Sequence, residues 1–210
     1  MNSRIGLTFF GDSIMNFRKK ECSWVYILQK KINKKFKNNF IFYKKIVTGL
    51  NTRSALNIIP DHIRKIKYKN IIIIQLGAND SWHYKSFGGL AEVDLKSFKL
   101  NLLDIIKKLN YLGYKKIIFV TYHSFLNNRL EVNKKSINEN LKKYIKEIKI
   151  FCKNKKIDVI EVDNKSKYIS PRKMCLPLPD GIHLNNNGAK IYTDIIYKYL
   201  KKQIFYDKKI

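Results

Sequence analysis

Apolar positions along this chain follow two alternating rhythms: short near-continuous runs, and longer stretches at helical spacing. Ile5, Leu7, Phe9 and Phe10 mark a first strand over Arg4 to Phe10. From Cys22 to about Phe36, the residues Trp24, Ile27, Leu28 and Ile32 recur at the spacing of a helix buried on one side. Phe40 to Val47 reads as a second strand, and Asn51 or Thr52 caps a helix predicted to run to about Ile66. Asn70 to Leu76 is almost wholly apolar, as expected of a central parallel strand covered on both faces.

The second half repeats the rhythm. Asp94 caps a helix whose inner face is Leu95, Phe98, Leu102, Ile105, Ile106 and Leu109. Lys115 to Thr121 is a fourth strand. Val132 to about Asn154 is a long amphipathic helix carrying Ile137, Leu141, Ile145 and Ile148, and Ile157 to Val162 is a fifth strand. Asn187 starts a last helix with Ile191, Ile195, Ile196, Tyr199 and Leu200. Five strands separated by helices predict a parallel sheet with helices on both faces. The length of 210 residues, without repeat or linker, fits one domain over residues 1–210.

In such sheets ligands bind beyond the carboxyl ends of the strands. Ser13 follows the first strand in a Gly11-Asp12-Ser13 turn, Gly49 follows the second, and Asn79 follows the third within Gly77-Ala78-Asn79-Asp80. Asp180 and His183, three apart, lie beyond the fifth strand and before the last helix. All of these therefore converge on one edge. Together they supply a hydroxyl nucleophile, an imidazole base, a carboxylate to orient it, and donors from Gly49 and Asn79 for an oxyanion. That inventory is what acyl transfer through a serine requires, and it needs neither metal nor organic cofactor.

Composition changes this picture less than it first suggests. The net charge of +27 points toward nucleic acid or another polyanion. Yet only six of the 43 basic residues are Arg, the residue suited to bidentate phosphate and base recognition, and the lysines are spread along the whole chain. Lys, Ile and Asn are all abundant and all have A/T-rich codons, so the charge reads as compositional bias on solvated helix faces. No specific nucleic-acid partner is expected. No apolar run approaches the roughly 18 residues of a membrane span, and Met1 to Arg4 does not open a signal peptide, so the cytoplasm is the expected compartment. Cys22, Cys152 and Cys175 have no paired spacing and are expected as buried free thiols.

The four segments resemble the blocks of the SGNH, or GDSL-type, hydrolase superfamily. Phe10-Gly11-Asp12-Ser13-Ile14 matches the first block, with Ile where Leu is usual; Gly49 matches the second, Gly77-Ala78-Asn79-Asp80 the third, and Asp180-Gly181-Ile182-His183 the fifth. The resemblance spans about Ile5 to Leu200. It implies a flavodoxin-like three-layer α/β/α sandwich on a five-stranded parallel sheet. It also implies Ser13 as nucleophile, His183 as base and Asp180 as its orienting carboxylate. The oxyanion hole would comprise the Ser13 and Gly49 N–H groups and the Asn79 side chain.

The expected activity is hydrolysis of small acyl esters, acetyl among them, with an acylated sugar as one substrate class. Lysophospholipase or acyl thioesterase is the alternative within the same superfamily, and a basic nucleic-acid or polyanion-binding protein the alternative outside it. Asp12, Asp80, Trp82, His83, Tyr84, Tyr122 and His123 are further candidates for substrate contact, because each lies in or just after a strand-end segment. Trp82 to Tyr84 fit equally a loop packed on the sheet edge. His62 reads as a surface residue, and the proline-rich loop Asn164 to Pro179 as a wall or gate beside the site.

Overall fold

Isoleucine-rich strands form the centre of the molecule. The computed structural model describes residues 5–16, 19–36, 39–59, 69–84 and 88–205. Its strands are β1 (Ile5–Gly11), β2 (Phe40–Ile46), β3 (Lys69–Gln75), β4 (Lys116–Val120) and β5 (Asp158–Ile160). They lie in the order β2-β1-β3-β4-β5, every neighbouring pair parallel. This is the flavodoxin-like order. The chain leaves β1 toward β2 and then returns to the other side of β1 at β3, opening a crevice beyond the carboxyl ends of β1 and β3.

Alternation along each strand divides the core in two. Leu7, Phe9, Ile71, Ile73, Ile118 and Val120 face α1 (Trp24–Phe36) and α7 (Asn186–Leu200), where Trp24, Leu28, Ile32, Tyr192 and Ile196 meet them. Phe10, Ile72, Ile74, Ile117 and Phe119 point the other way, against Phe98, Leu102, Ile105 and Leu109 of α3 (Leu95–Tyr111). The long helix α4 (Ile137–Lys155) contributes to both clusters, with Leu141 and Ile145 in one and Tyr144 and Ile148 in the other. Cys22, Cys152 and Cys175 are buried free thiols.

Element ends differ from the sequence expectations for local reasons. The fourth helix starts at Ile137 rather than near Val132, because Ser136 and Glu139 form a reciprocal capping box there. Asn51 caps α2 (Thr52–Ala55) by accepting from the Ser54 N–H at 2.8 Å. The rest of the helix predicted toward Ile66 lies, beyond residue 59, outside the described residues, as do His62 and Arg4. The segment expected as a loop from Asn164 carries two short helices, α5 (Val162–Ser166) and α6 (Pro171–Met174). Among the described residues no helix is long and apolar enough to cross a membrane.

Candidate active site

A tight turn carries the chain out of β1 and presents Ser13. Glycine is required at position 11, because a Cβ there would collide with the carbonyl oxygen of Gln75 on β3. Asp12 then fixes the turn. Its Oδ1 accepts the Ile14 N–H at 3.0 Å and its Oδ2 accepts the Tyr122 hydroxyl at 2.6 Å. Ser13 Oγ lies 2.9 Å from His183 Nε2.

The segment from Asp180 to His183 is folded around its own carboxylate. Asp180 Oδ1 accepts the backbone N–H groups of Ile182 and His183 at 2.9 and 2.8 Å, and Oδ2 lies 2.8 Å from His183 Nδ1. A carboxylate only accepts, so the ring proton belongs on Nδ1 and the Nε2 lone pair faces Ser13. Burial alone would raise the Asp180 pKa, but the backbone donors and the imidazole outweigh it and hold the carboxyl below its ordinary value. Gly181 permits the fold of this segment, with φ +60 and its backbone pressed against Asn127. Asn127 donates its N–H to the Gly181 carbonyl at 2.9 Å.

Gly49 and Asn79 face Ser13 from the neighbouring strand ends. Gly49 has φ +74 with open space around its Cα, so glycine serves conformation here rather than close packing. The N–H groups of Ser13 and Gly49 have no acceptor among the described residues. Asn79 donates one amide hydrogen to the Leu50 carbonyl at 3.1 Å, which fixes the orientation of the amide and leaves its second N–H available. Ser13, Gly49, Asn79 and His183 line one pocket of about 190 Å³, with Ile14, Thr48, Trp82, Tyr84, Phe125 and Ile182 among its walls.

Residues 7–196 of the chain match the profile of the GDSL-like lipase/acylhydrolase family. The chain belongs to that family. It is an ester-hydrolysing enzyme, as the four sequence blocks suggested. An acetyl xylan esterase, AlAXEase, has a similar fold, with TM-score 0.74, 18% identity, and coverage of 93% of this chain and 99% of that one. So does LAE5, an α/β hydrolase from the metagenome of Lake Arreo, Spain, with TM-score 0.73, 15% identity and coverage of 94% and 96%. A catalytic mutant of Axe2, an acetylxylan esterase from Geobacillus stearothermophilus, gives TM-score 0.72, 16% identity and 94% coverage of each chain. A comparison with curated proteins gives no match.

The remaining candidates of this GDSL-like hydrolase divide by placement. Trp82 and Tyr84 line the pocket, their rings stacked at 6.3 Å. Asp12 borders it, but its carboxyl is fully buried and committed to the serine turn. Burial pushes the Asp12 pKa up to about 7, against the lowering effects of Tyr122 and Ile14. Asp80 is turned into the core, where Thr52 donates both N–H and hydroxyl to it. Burial likewise raises Asp80 to about 7.

Tyr122 and His123 do not line this pocket. Tyr122 supports Asp12 from below. His123 is buried between the Tyr192 hydroxyl at 2.8 Å and the Ile182 carbonyl at 3.1 Å, and burial lowers its pKa to about 4. His83 donates from Nδ1 to the Ser81 carbonyl at 2.9 Å and gives its backbone N–H to Glu131 at 3.0 Å. Sequence reasoning passed over Thr48, Phe125 and Ile182 as pocket walls. Each sits beside a recognised residue or strand end, but nothing in its type separates it from an ordinary packing residue. Among the described residues no group of three His, Cys, Asp or Glu side chains is placed to hold a metal.

Proposed function

We propose that this hydrolase is a serine esterase that removes short acyl groups through an acyl-enzyme. The observation that carries this reading is the continuous chain Ser13 Oγ, His183 Nε2, His183 Nδ1, Asp180 Oδ2, with links of 2.9 and 2.8 Å, at the wall of a pocket. Ser13 Oγ attacks the ester carbonyl carbon while His183 Nε2 takes its proton. The developing oxyanion is received by the N–H groups of Ser13 and Gly49 and the second amide hydrogen of Asn79, each donor contributing about 3 kcal/mol to the barrier reduction. The imidazolium, held by Asp180, then protonates the departing alcohol. Water deprotonated by His183 attacks the acyl-enzyme, and the carboxylic acid leaves as Ser13 recovers its proton.

Pocket size and lining support the substrate class. About 190 Å³ bounded by Trp82, Phe125 and Ile182 favours an acetyl or similarly short group. Among the described residues the lining contains no lysine or arginine. That favours an uncharged alcohol portion such as a sugar, with Trp82 and Tyr84 as an aromatic wall. The names of the acetyl xylan esterases with this fold agree with such a substrate.

Activated esters of graded acyl length separate the outcomes. Wild type is expected to be fastest on acetyl to butyryl esters, and Ser13→Ala to lose at least about 10³-fold in kcat. Rapid quenching followed by mass spectrometry should find the acyl adduct on the peptide containing Ser13. Equal rates for the two proteins would remove the nucleophile assignment.

A further inference from the structure

Beside the pocket, one surface loop is patterned inside out. Glu131 points inward, its side chain only 4% exposed, and binds the His83 N–H at 3.0 Å and the Asn140 amide at 2.5 Å. Its neighbours Leu130 and Val132 point outward, 70% and 45% exposed. An acid inside and aliphatics outside reverses the usual preference of both residue types. The arrangement leaves apolar surface in water although the inner positions of the loop were there to take it.

A second loop extends the same surface. Gly89 packs so closely on Val132 that an added Cβ would lie 3.1 Å from its Cγ1, and the next residue, Leu90, is 71% exposed. Gly89 donates its N–H to the carbonyl of Tyr84, a residue 40% exposed that lines the pocket. Gly89 thus brings the exposed Leu90 and the pocket residue Tyr84 to the side of the loop that carries the exposed Leu130 and Val132, and together these four make an apolar rim beside the pocket. Arg129, Lys134 and Lys135 are exposed on the same loop as Leu130 and Val132, and the Arg129 guanidinium lies 5.9 Å from the centre of the Trp82 ring.

We infer that this rim docks on an anionic lipid surface, with the aliphatic side chains entering the interface and the basic residues resting on the head groups. Outward aliphatics flanked by cations are the combination that binds such surfaces. A second copy of this chain is a poor occupant, because two chains of net charge +27 repel. The rim is built from a few side chains on two loops, which suits insertion into lipid better than a broad protein interface. The pocket mouth would then face the interface, so that esters carried there reach Ser13 without leaving it. Docking itself depends on the rim alone; only the delivery of esters to Ser13 rests on the proposed function.

Sedimentation with vesicles tests this directly. The two preparations are phosphatidylcholine alone and equimolar phosphatidylcholine with phosphatidylglycerol. Wild type should bind the anionic vesicles. The triple variant Leu90→Ser, Leu130→Ser, Val132→Ser should bind at least about tenfold more weakly, while hydrolysing a soluble short-chain ester at the wild-type rate. Lys34→Gln with Lys96→Gln removes two exposed charges elsewhere, on α1 and α3, and should leave binding within about twofold. Equal binding by wild type and the triple variant would overturn the proposal, since general charge would then account for it. No binding by wild type would overturn it too. So would a wild-type dimer in solution that the triple variant converts to monomer, which would assign the rim to a second copy.

Discussion

Asp80 accepts the backbone N–H of Thr52 at 3.0 Å and its hydroxyl at 2.5 Å, joining the turn after β3 to the start of α2. Asn79 immediately precedes Asp80, and Gly49 lies three residues before Thr52. The two proposed oxyanion donors are therefore held at a fixed separation by one buried carboxyl, with Asn101 donating to Thr52 Oγ1 at 3.0 Å behind it. Thr52→Val removes the hydroxyl and strands both neighbours. It should lower kcat by about tenfold with little change in KM and cost about 1–3 kcal/mol of stability. Steady-state kinetics and urea unfolding on the same preparation measure both. An unchanged kcat would show that the lock does not serve the oxyanion site.

Asn79→Ala removes a donor without touching that lock. It should reduce kcat by about 10² to 10³-fold and leave the unfolding midpoint near wild type, since among the described residues its side chain bonds only to the Leu50 carbonyl. Kinetics on an acetyl ester, with circular dichroism to check the fold, decides it.

Asp180→Asn changes the ring tautomer rather than the shape. The amide presents a donor toward Nδ1 or loses its backbone partners, so Nε2 no longer faces Ser13 as a lone pair. A loss on the order of 10⁴-fold in kcat is expected. Retention of near wild-type activity would mean that the 2.8 Å contact to His183 is structural only.

Stability should carry a pH signature from the two buried carboxyls. Asp12 and Asp80 are both raised by burial from 3.8 to about 7 in the folded protein. Between those values the folded chain holds protons that the unfolded chain has released. Their contribution is therefore fully favourable below the unfolded value and is lost as pH rises through about 7. Asp180, with its lowered pKa, contributes in the opposite sense: its stabilisation is present above the unfolded value and lost as pH falls through the folded one. Asp12→Asn should flatten the decline between about pH 4 and pH 7. Urea midpoints across that range for wild type and variant measure the difference, and parallel curves would exclude Asp12 as a source.

Phe125 is part of the pocket wall and is itself buried. Phe125→Ala should raise kcat/KM for hexanoyl over acetyl esters by about tenfold or more, because each methylene accommodated contributes on the order of 1 kcal/mol. A uniform fall across all chain lengths would instead indicate a general loss of structure.

The residues proposed to react were legible because each sits where backbone geometry and chemistry agree. Gly11 must be glycine to pass Gln75, Gly49 to adopt positive φ, and Asp180 must be acidic to gather two N–H groups and an imidazole. The other candidates were less so. Asp80 and His123 carry polar side chains at strand ends, the position that suggests a substrate contact, yet their partners are Thr52, Tyr192 and the Ile182 carbonyl. No one-dimensional pattern separates a polar residue that meets a ligand from one that braces a loop, because the distinction is a matter of direction.

The sequence by itself determined the parallel sheet, its order of elements and the family, because periodicity, strand-end glycines and motif spacing are local properties of the chain. The separation of Ser13 from His183 by 170 positions is closed only by packing: α7 against α1 and the sheet brings the two segments to the same edge. Tertiary structure alone decided which carboxyls are buried, how small the pocket beside Ser13 is, and that Leu130 and Val132 face outward while Glu131 turns in. Those outcomes depend on which surfaces meet, and contacts between distant segments leave no signature in the spacing of residues along either one.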